Sequence, residues 1–306
     1  MASIFEYIVE DYSRETRIDK YLAEKLTQHT RSFIQNLIKD NQVTVNGKTI
    51  KANYKLRDQD QIQVNIEEAE NTTLLPEDIP LQIVYEDEDI IIVNKDQGVV
   101  VHPAPGNYTG TLVNALLHYA KDNLSTINGD VRPGIVHRID KDTSGILMIA
   151  KNNIAHEKLA AMLKEHDITR KYHAIVFGNF KEEEGLIDQP IGRHPVDRKK
   201  MTVIDTNSRN ALTTYKVLRQ FNGFSYVEVT LSTGRTHQIR VHMKYIGHPV
   251  LGDPVYGPKK QPYNLRGQLL HAKVLGFNHP ITGEYMLFDS SLPPYFTQMI
   301  DKLSKK

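Results

Sequence analysis

The chain has 306 residues, 40% hydrophobic and 25% charged, enough for one large domain and one small one, each with its own core. It contains no cysteine, which excludes disulfides and thiolate metal sites and points to a reducing cytoplasm. The N-terminus lacks an apolar signal region, and no stretch approaches the ~20 apolar residues of a membrane span, so export and membrane insertion are not expected.

A formal net charge of +1 alone argues against a nucleic-acid partner, but it averages over unlike parts. Arg14 to Lys55 carries nine basic and four acidic residues, a balance of +5; Arg57 to Ile90 carries one base and eleven acids, a balance of −10. The acidic stretch, with Glu67-Glu68-Ala69-Glu70, reads as a solvated linker. In the basic segment, Ile18, Tyr21, Leu22 and Leu26 recur at helical spacing, as do Ile34, Leu37 and Ile38, which predicts two short helices with Thr30 capping the second. Gln42 to Lys48 then alternates into Asn46-Gly47, a strong hairpin signal. With the apolar positions inward, Arg17, Lys20, Arg31 and Lys48 stay outside as a positive surface suited to phosphates. The run RIDKYLAEKLTQHTRSFIQNLIKDNQVTVNGKTIKANYKLRDQDQIQV resembles an S4 domain, a small RNA-binding module. It departs from that pattern at Gln59-Asp60, where the family has Gly-Asp, so a different final turn is expected. The plain alternative is a small basic αβ domain with no RNA role. The expected division is an S4-like domain over 14–75 and a second domain over 76–306.

After Pro76 and Pro80, strand-like runs begin at Leu81–Tyr85 and Ile90–Asn94. Gly145–Ala150 reads as an apolar strand, Asn153–Lys164 as an amphipathic helix, and Lys171–Gly178, Ala211–Leu218 and Ser225–Leu231 as further strands. Strands outnumber helices and mostly lack crossover helices between them, which favours an α+β domain with a mixed, largely antiparallel sheet. Lys302 to Lys306 reads as a frayed tail.

The densest cluster of polar residues is Pro133 to Gly145, on a turn entering a buried strand. Such crowding is costly unless the groups are paired, so the loop holds either a structural hydrogen-bond network or a functional site. HRIDKDTSGILMIAK closely resembles the signature of RluA/RluD-type pseudouridine synthases. Three further segments match in the family's order, VHPAPGNYTGTLVNALLHY, RKYHAIVFG and TGRTHQIRVHMKYIGHPVLGDPVYG, with LLHAKVLGFNHPITGE after them. The resemblance implies a pseudouridine-synthase-like catalytic domain with Asp140 as the catalytic carboxylate, Tyr172 as the active-site tyrosine, Arg240 as the partner of Asp140, and Arg138 as an arginine that helps extrude the target base. Taken singly, Tyr172 reads as a core tyrosine, Arg240 as a surface helix arginine and Arg138 as a phosphate contact. Asp142 reads as a turn residue or cap. The loop Arg193–Lys200, net +3, offers Arg198, Lys199 and Lys200 as phosphate contacts, with a solvated loop as the alternative.

The thirteen histidines show no zinc spacing, and no phosphate loop or dinucleotide fingerprint is present, so neither catalytic metal nor cofactor is expected. The implied activity is isomerisation of uridines in structured RNA by a monomeric enzyme. An S4-like module ahead of the signature resembles the branch that modifies large-subunit ribosomal RNA. Two other classes stay open: an N-glycosidase that releases uracil, and an inactive synthase scaffold serving as an RNA-binding or ribosome-assembly protein.

Overall fold

The computed structural model describes residues 2–10, 16–27, 29, 31–67, 74–103, 107–121, 123–127, 129 and 132–305. Thr30, residues 68–70 of the acidic stretch and the expected domain start at residue 14 lie outside these. Two compact units are present, Met1–Thr72 and Thr73–Lys306.

The N-terminal unit runs β1 (Ala2–Ile8), α1 (Ile18–Lys25), α2 (Arg31–Lys39), β2 (Val43–Val45), β3 (Lys48–Thr49), β4 (Gln61–Glu67). Its antiparallel sheet has the order β1-β4-β2-β3. The buried helix positions Ile18, Leu22, Ile34 and Ile38 pack on Val43, Val45, Ile62 and Val64, the inward alternation of the strands. Asn46 and Gly47 both take positive φ, 51° and 72°, as a two-residue hairpin with right-handed strand twist requires. The acidic stretch is not all linker: it supplies β4, whose Ile62, Val64 and Ile66 are buried.

The final turn keeps the conformation that glycine would favour, with Gln59 at φ 63°. Asp60 locks it, accepting from Asn46 Nδ2 (2.9 Å), the Tyr54 hydroxyl (3.1 Å) and the Arg57 N–H (2.8 Å). A left-handed residue with a Cβ costs roughly 1–2 kcal/mol, partly offset by the greater unfolded freedom of glycine. Gln59→Gly is therefore expected to stabilise this unit by about 0.5 kcal/mol, read as slower hydrogen exchange of the β4 amides; no gain would mean that the turn is unstrained.

The second unit runs β5 (Ile83–Glu86), β6 (Ile90–Lys95), α3 (Leu112–Ala120), β7 (Ser144–Ala150), α4 (Asn153–Glu165), β8 (Thr169–Phe177), β9 (Glu184–Asp188) and β10 (Ile191–Arg193). It continues with β11 (Met201–Val203), β12 (Ser208–Arg209), β13 (Leu212–Phe221), β14 (Phe224–Leu231), α5 (Gln238–Tyr245), β15 (Leu270–Asn278), β16 (Tyr285–Asp289) and α6 (Pro294–Ser304). Nine strands form one sheet in the order β5-β6-β7-β15-β8-β14-β13-β9, with β16 on β15; β10, β11 and β12 form a small separate sheet. Pairing is antiparallel except between β7 and β15. This is the mixed, largely antiparallel α+β sheet expected from the sequence. Both of its faces are covered. Leu112, Val113 and Leu116 of α3 pack on Tyr172, Ala174, Val227 and Val229, while Ala155 and Leu159 of α4 pack on Ile90, Ile92, Met148 and Phe277. At the parallel pair, Gly145 has φ 115°, and a Cβ there would strike the backbone of Ala272. The C-terminal residues correct the frayed-tail expectation, because α6 runs to Ser304 with Phe296, Met299 and Leu303 buried. No helix among the described residues is long and apolar enough to cross a membrane.

Candidate active site

The loop that carries Asp140 is held from behind by side chains from outside it. Lys95, the buried end of β6, donates from Nζ to the carbonyls of Asp96 (2.8 Å), Val99 (2.8 Å) and Lys141 (3.0 Å). Burial pulls its pKa down to about 7, against the upward pull of Asp142 and Asp140. Gln97 Nε2 donates to the Asp142 carbonyl (3.2 Å), and Gln268 Nε2 to Thr143 Oγ1 (3.2 Å). The Thr143 N–H meets the Asp140 carbonyl at 3.1 Å, a turn with Asp142 inside it. His137 Nε2 accepts the N–H of Met148 at 3.1 Å. The polar cluster is thus a hydrogen-bonded network whose result is a fixed backbone at Asp140.

Opposite stands α5, which starts without a conventional cap. His237 is left-handed at φ 57°, and Gln238 organises the entry: its Oε1 accepts from the Thr233 hydroxyl (2.9 Å) and the Arg235 N–H (2.9 Å), while its Nε2 donates to the Leu212 carbonyl (3.0 Å) and Thr213 Oγ1 (2.9 Å). This places Arg240 in the first turn, buried. Its guanidinium is split between two carboxylates. Nε donates to Asp253 Oδ2 (2.6 Å), one terminal nitrogen to Asp253 Oδ1 (2.9 Å), and the other to Asp140 Oδ2 (2.8 Å). Burial alone would lower the Arg240 pKa, but Asp253 and Asp140 hold it above its ordinary value. Asp253 is fully buried and also accepts the N–H groups of Val255 (2.8 Å) and Tyr256 (2.9 Å).

Asp140, Tyr172, His237 and Arg240 line one cavity together with Ile139, Leu231 and Leu270. Asp140 is the one carboxylate among the described residues that line it. Burial raises the Tyr172 pKa, Arg170 opposing and Asp140 reinforcing the shift, so the phenol stays protonated at neutral pH. Burial lowers the His237 pKa, with Asp140 opposing. The Tyr256 hydroxyl accepts the Met201 N–H (2.9 Å) and lies 2.8 Å from His237 Nδ1. With the phenol proton on Nδ1, the neutral imidazole turns its Nε2–H towards Asp140 Oδ1, 3.9 Å away.

The structure therefore brings Asp140, Tyr172 and Arg240 together. Arg138 lies two residues from Asp140 and meets His102 Nε2 at 3.1 Å. Burial, with Arg138 and Arg132 adding to it, lowers the His102 pKa to about 4, so the partner is neutral and the charge of Arg138 is not cancelled. Arg17, Lys20, Arg31 and Lys48 belong to the N-terminal unit. Two of them are committed elsewhere: Arg17 and Arg31 both pair with buried Asp19 at 3.0 Å. Lys20 and Lys48 are exposed. Arg198, Lys199 and Lys200 lie between β10 and β11; the first two are exposed, and Lys200 pairs with Asp197 at 3.3 Å. Sequence reasoning missed Lys95, His237 and Asp253. A lysine closing an apolar strand, and an aspartate after the apolar run Val250-Leu251-Gly252, were the available signals.

Among the described residues, Asp87, Asp89 and His279 could bring three ligand atoms together. However, His279 Nδ1 accepts the N–H groups of Ile281 (3.3 Å) and Thr282 (3.1 Å), so the neutral ring carries its proton on Nε2, which faces Asp87 Oδ2 at 3.0 Å. Freeing Nε2 for a metal would move that proton to Nδ1, against the two N–H donors it faces.

Two family models match the chain, one described as RNA pseudouridylate synthase over residues 89–245 and one as S4 domain over residues 16–62. The chain is 53% identical over 292 residues to the uncharacterized RNA pseudouridine synthase YlyB of Bacillus subtilis (strain 168), covering 95% of each chain. It is 42% identical over 298 residues to the ribosomal large subunit pseudouridine synthase D of Escherichia coli (strain K12), covering 93% of this chain and 90% of that one. Among solved structures, human RNA Pseudouridylate Synthase Domain Containing 1 aligns with a TM-score of 0.59 at 25% identity, over 78% of this chain and 98% of that one.

Proposed function

The chain belongs to the RNA pseudouridylate synthase family, and from that premise we propose that it isomerises particular uridines of large-subunit ribosomal RNA with Asp140 as the catalytic carboxylate. The observation that carries this reading is the 2.8 Å ion pair from Arg240 to Asp140 at a cavity that Tyr172 also lines. The reaction balances within the nucleoside: the C1′–N1 bond breaks, uracil turns, C1′–C5 forms, and the C5 proton is exchanged for one on N1. Asp140 engages the nucleoside, kept ionised by Arg240; Tyr172 offers a ring to stack on uracil and a phenol to carry a proton. Arg138, beside the site and uncancelled, helps hold the base out of its stack. The isomerisation is redox-neutral and needs no external nucleophile, so the reading includes no cofactor and no catalytic metal, in a monomeric cytoplasmic enzyme. Residues 14–75 serve as the RNA-binding domain and 76–306 as the catalytic domain, a division supported by the match to the S4 domain.

The test is a map of pseudouridines in total RNA with the gene present, deleted and restored. A small set of large-subunit sites is expected to vanish on deletion and return on restoration. An unchanged map would overturn the reading, and losses confined to transfer RNA would overturn its substrate.

A further inference from the structure

The catalytic unit has a second cavity, of about 310 Å³, between α5 and the residues Lys200 to Val203. That volume lies within the range of ligand sites, about 300–1,000 Å³. Its lining is basic and aromatic, with His194, Lys200 and Lys244 beside Tyr245 and Tyr256, and no carboxylate among the described lining residues. Lys244 Nζ lies 5.8 Å from the Tyr256 ring centroid and makes no ion pair among the described residues. His194 Nδ1 accepts the N–H groups of Val196 (3.3 Å) and Asp197 (3.0 Å), which leaves its Nε2–H as a donor. Tyr245 is 54% exposed, a ring of that size left open to solvent at the end of a helix. Ammonium groups around aromatic faces are what single-stranded nucleic acid uses, phosphate on the cations and base on the ring.

The cavity is also joined to the chemistry. Tyr256 links the two: it lines the second cavity, and it touches two residues that line the cavity of Asp140, with the Arg240 guanidinium carbon 5.0 Å from its ring centroid and its hydroxyl 2.8 Å from His237 Nδ1. A strand with one nucleotide at Asp140 therefore has a second built-in place for a neighbour.

We infer that this cavity is a subsite for a nucleotide of the substrate RNA flanking the target uridine, its base against Tyr245 and its phosphate on Lys244, with Lys200, which Asp197 pairs at 3.3 Å, beside it. The inference rests on the reading of the Asp140 cavity as the uridine site. It gives the basic loop Arg193–Lys200 a specific task, where the sequence offered only a general phosphate contact.

The test compares wild type, Lys244→Ala, Tyr245→Ala and Tyr245→Phe as full-length proteins. The RNA is a large-subunit ribosomal fragment containing a mapped site, intact or made abasic at one flanking position at a time. Tyr245→Ala is expected to raise KM for intact RNA by roughly 5- to 150-fold, the size of one lost base stack, and Lys244→Ala to raise it with a shallower salt dependence, as loss of one phosphate contact requires, both with a smaller change in kcat. Tyr245→Phe, which keeps the ring, should stay near wild type. One abasic position should cost the wild type a similar factor and cost Tyr245→Ala nothing further. Equal KM values for all four proteins, or the same abasic penalty in wild type and Tyr245→Ala, would overturn the subsite. Saturable inhibition of the wild type by free uridine 5′-monophosphate that Tyr245→Ala abolishes would reassign the cavity to a free nucleotide. Kd for each RNA is read in parallel, so a wild type that binds but forms no pseudouridine would overturn the proposed function while the subsite is still judged.

Discussion

Asp140→Asn is expected to cut pseudouridine formation by more than about 10⁴-fold, the size of loss that follows removal of a reacting group in other enzymes, while folding and RNA binding persist. The substitution is nearly isosteric. The asparagine carbonyl can still accept from Arg240, and Arg240 keeps its two bonds to Asp253, so no buried charge is orphaned. Stability should change by no more than about 1 kcal/mol. What disappears is the charge and nucleophilicity of the one carboxylate among the described residues lining the cavity. Asp142→Asn is the control. Asp142 lies in the turn that Asp140 and Thr143 close, and is expected to keep turnover close to wild type. Single-turnover assays with saturating RNA decide the matter: comparable rates for Asp140→Asn and wild type would remove Asp140 from the chemistry.

How far the sequence could reach is visible element by element. The hairpin at Asn46-Gly47, the apolar runs of β6 and β7 and the stripe of α4 were legible because each depends on local spacing. α5 was not, because its entry uses a left-handed His237 and the side chain of Gln238 where a Ser, Thr, Asp or Asn cap would have signalled a start. α6 carries a local signal too, since Phe296, Met299 and Leu303 recur at helical spacing up to the expected frayed tail. Charge counting overstated the free cations of the N-terminal unit, since Arg17 and Arg31 converge on one buried aspartate from positions fourteen residues apart. The Asp140–Arg240 pair spans 100 residues, and spacing carries no information at that range; family resemblance supplied it. Resemblance gave names to the groups that face the cavity but not to Lys95 and Asp253, whose work is done from behind.

Asp253 is expected to be the residue outside the cavity whose loss costs most. Its two oxygens accept four donors, two from Arg240 and two backbone N–H groups, so every partner it has donates. Asn at position 253 presents one oxygen and one NH₂, and wherever the NH₂ points it meets a donor. One Arg240 bond is therefore lost in either orientation, together with the Val255–Tyr256 turn where the NH₂ replaces Oδ1, and a buried guanidinium is left with a single counter-charge. Breaking such a pair costs about 3–5 kcal/mol of stability, and the freed guanidinium no longer holds Asp140 in place. Asp253→Asn is expected to lower kcat by roughly 10²–10³-fold, the scale of losing one preorganised electrostatic contact, with KM for RNA little changed. Arg240→Lys should fall at least as far, because an ammonium cannot serve two oxygens of Asp253 and one of Asp140 in the plane that the guanidinium fits. The double variant separates positioning from general damage. If Asp253 acts through Arg240, Asp253→Asn added to Arg240→Lys should cost little more kcat than Arg240→Lys alone, whereas independent structural harm would multiply the two losses. Urea unfolding of the three variants supplies the stability side. Multiplicative kcat losses, or an Asp253→Asn enzyme with normal kcat and reduced stability, would show that Asp253 supports the fold and leaves the aim of Arg240 at Asp140 untouched.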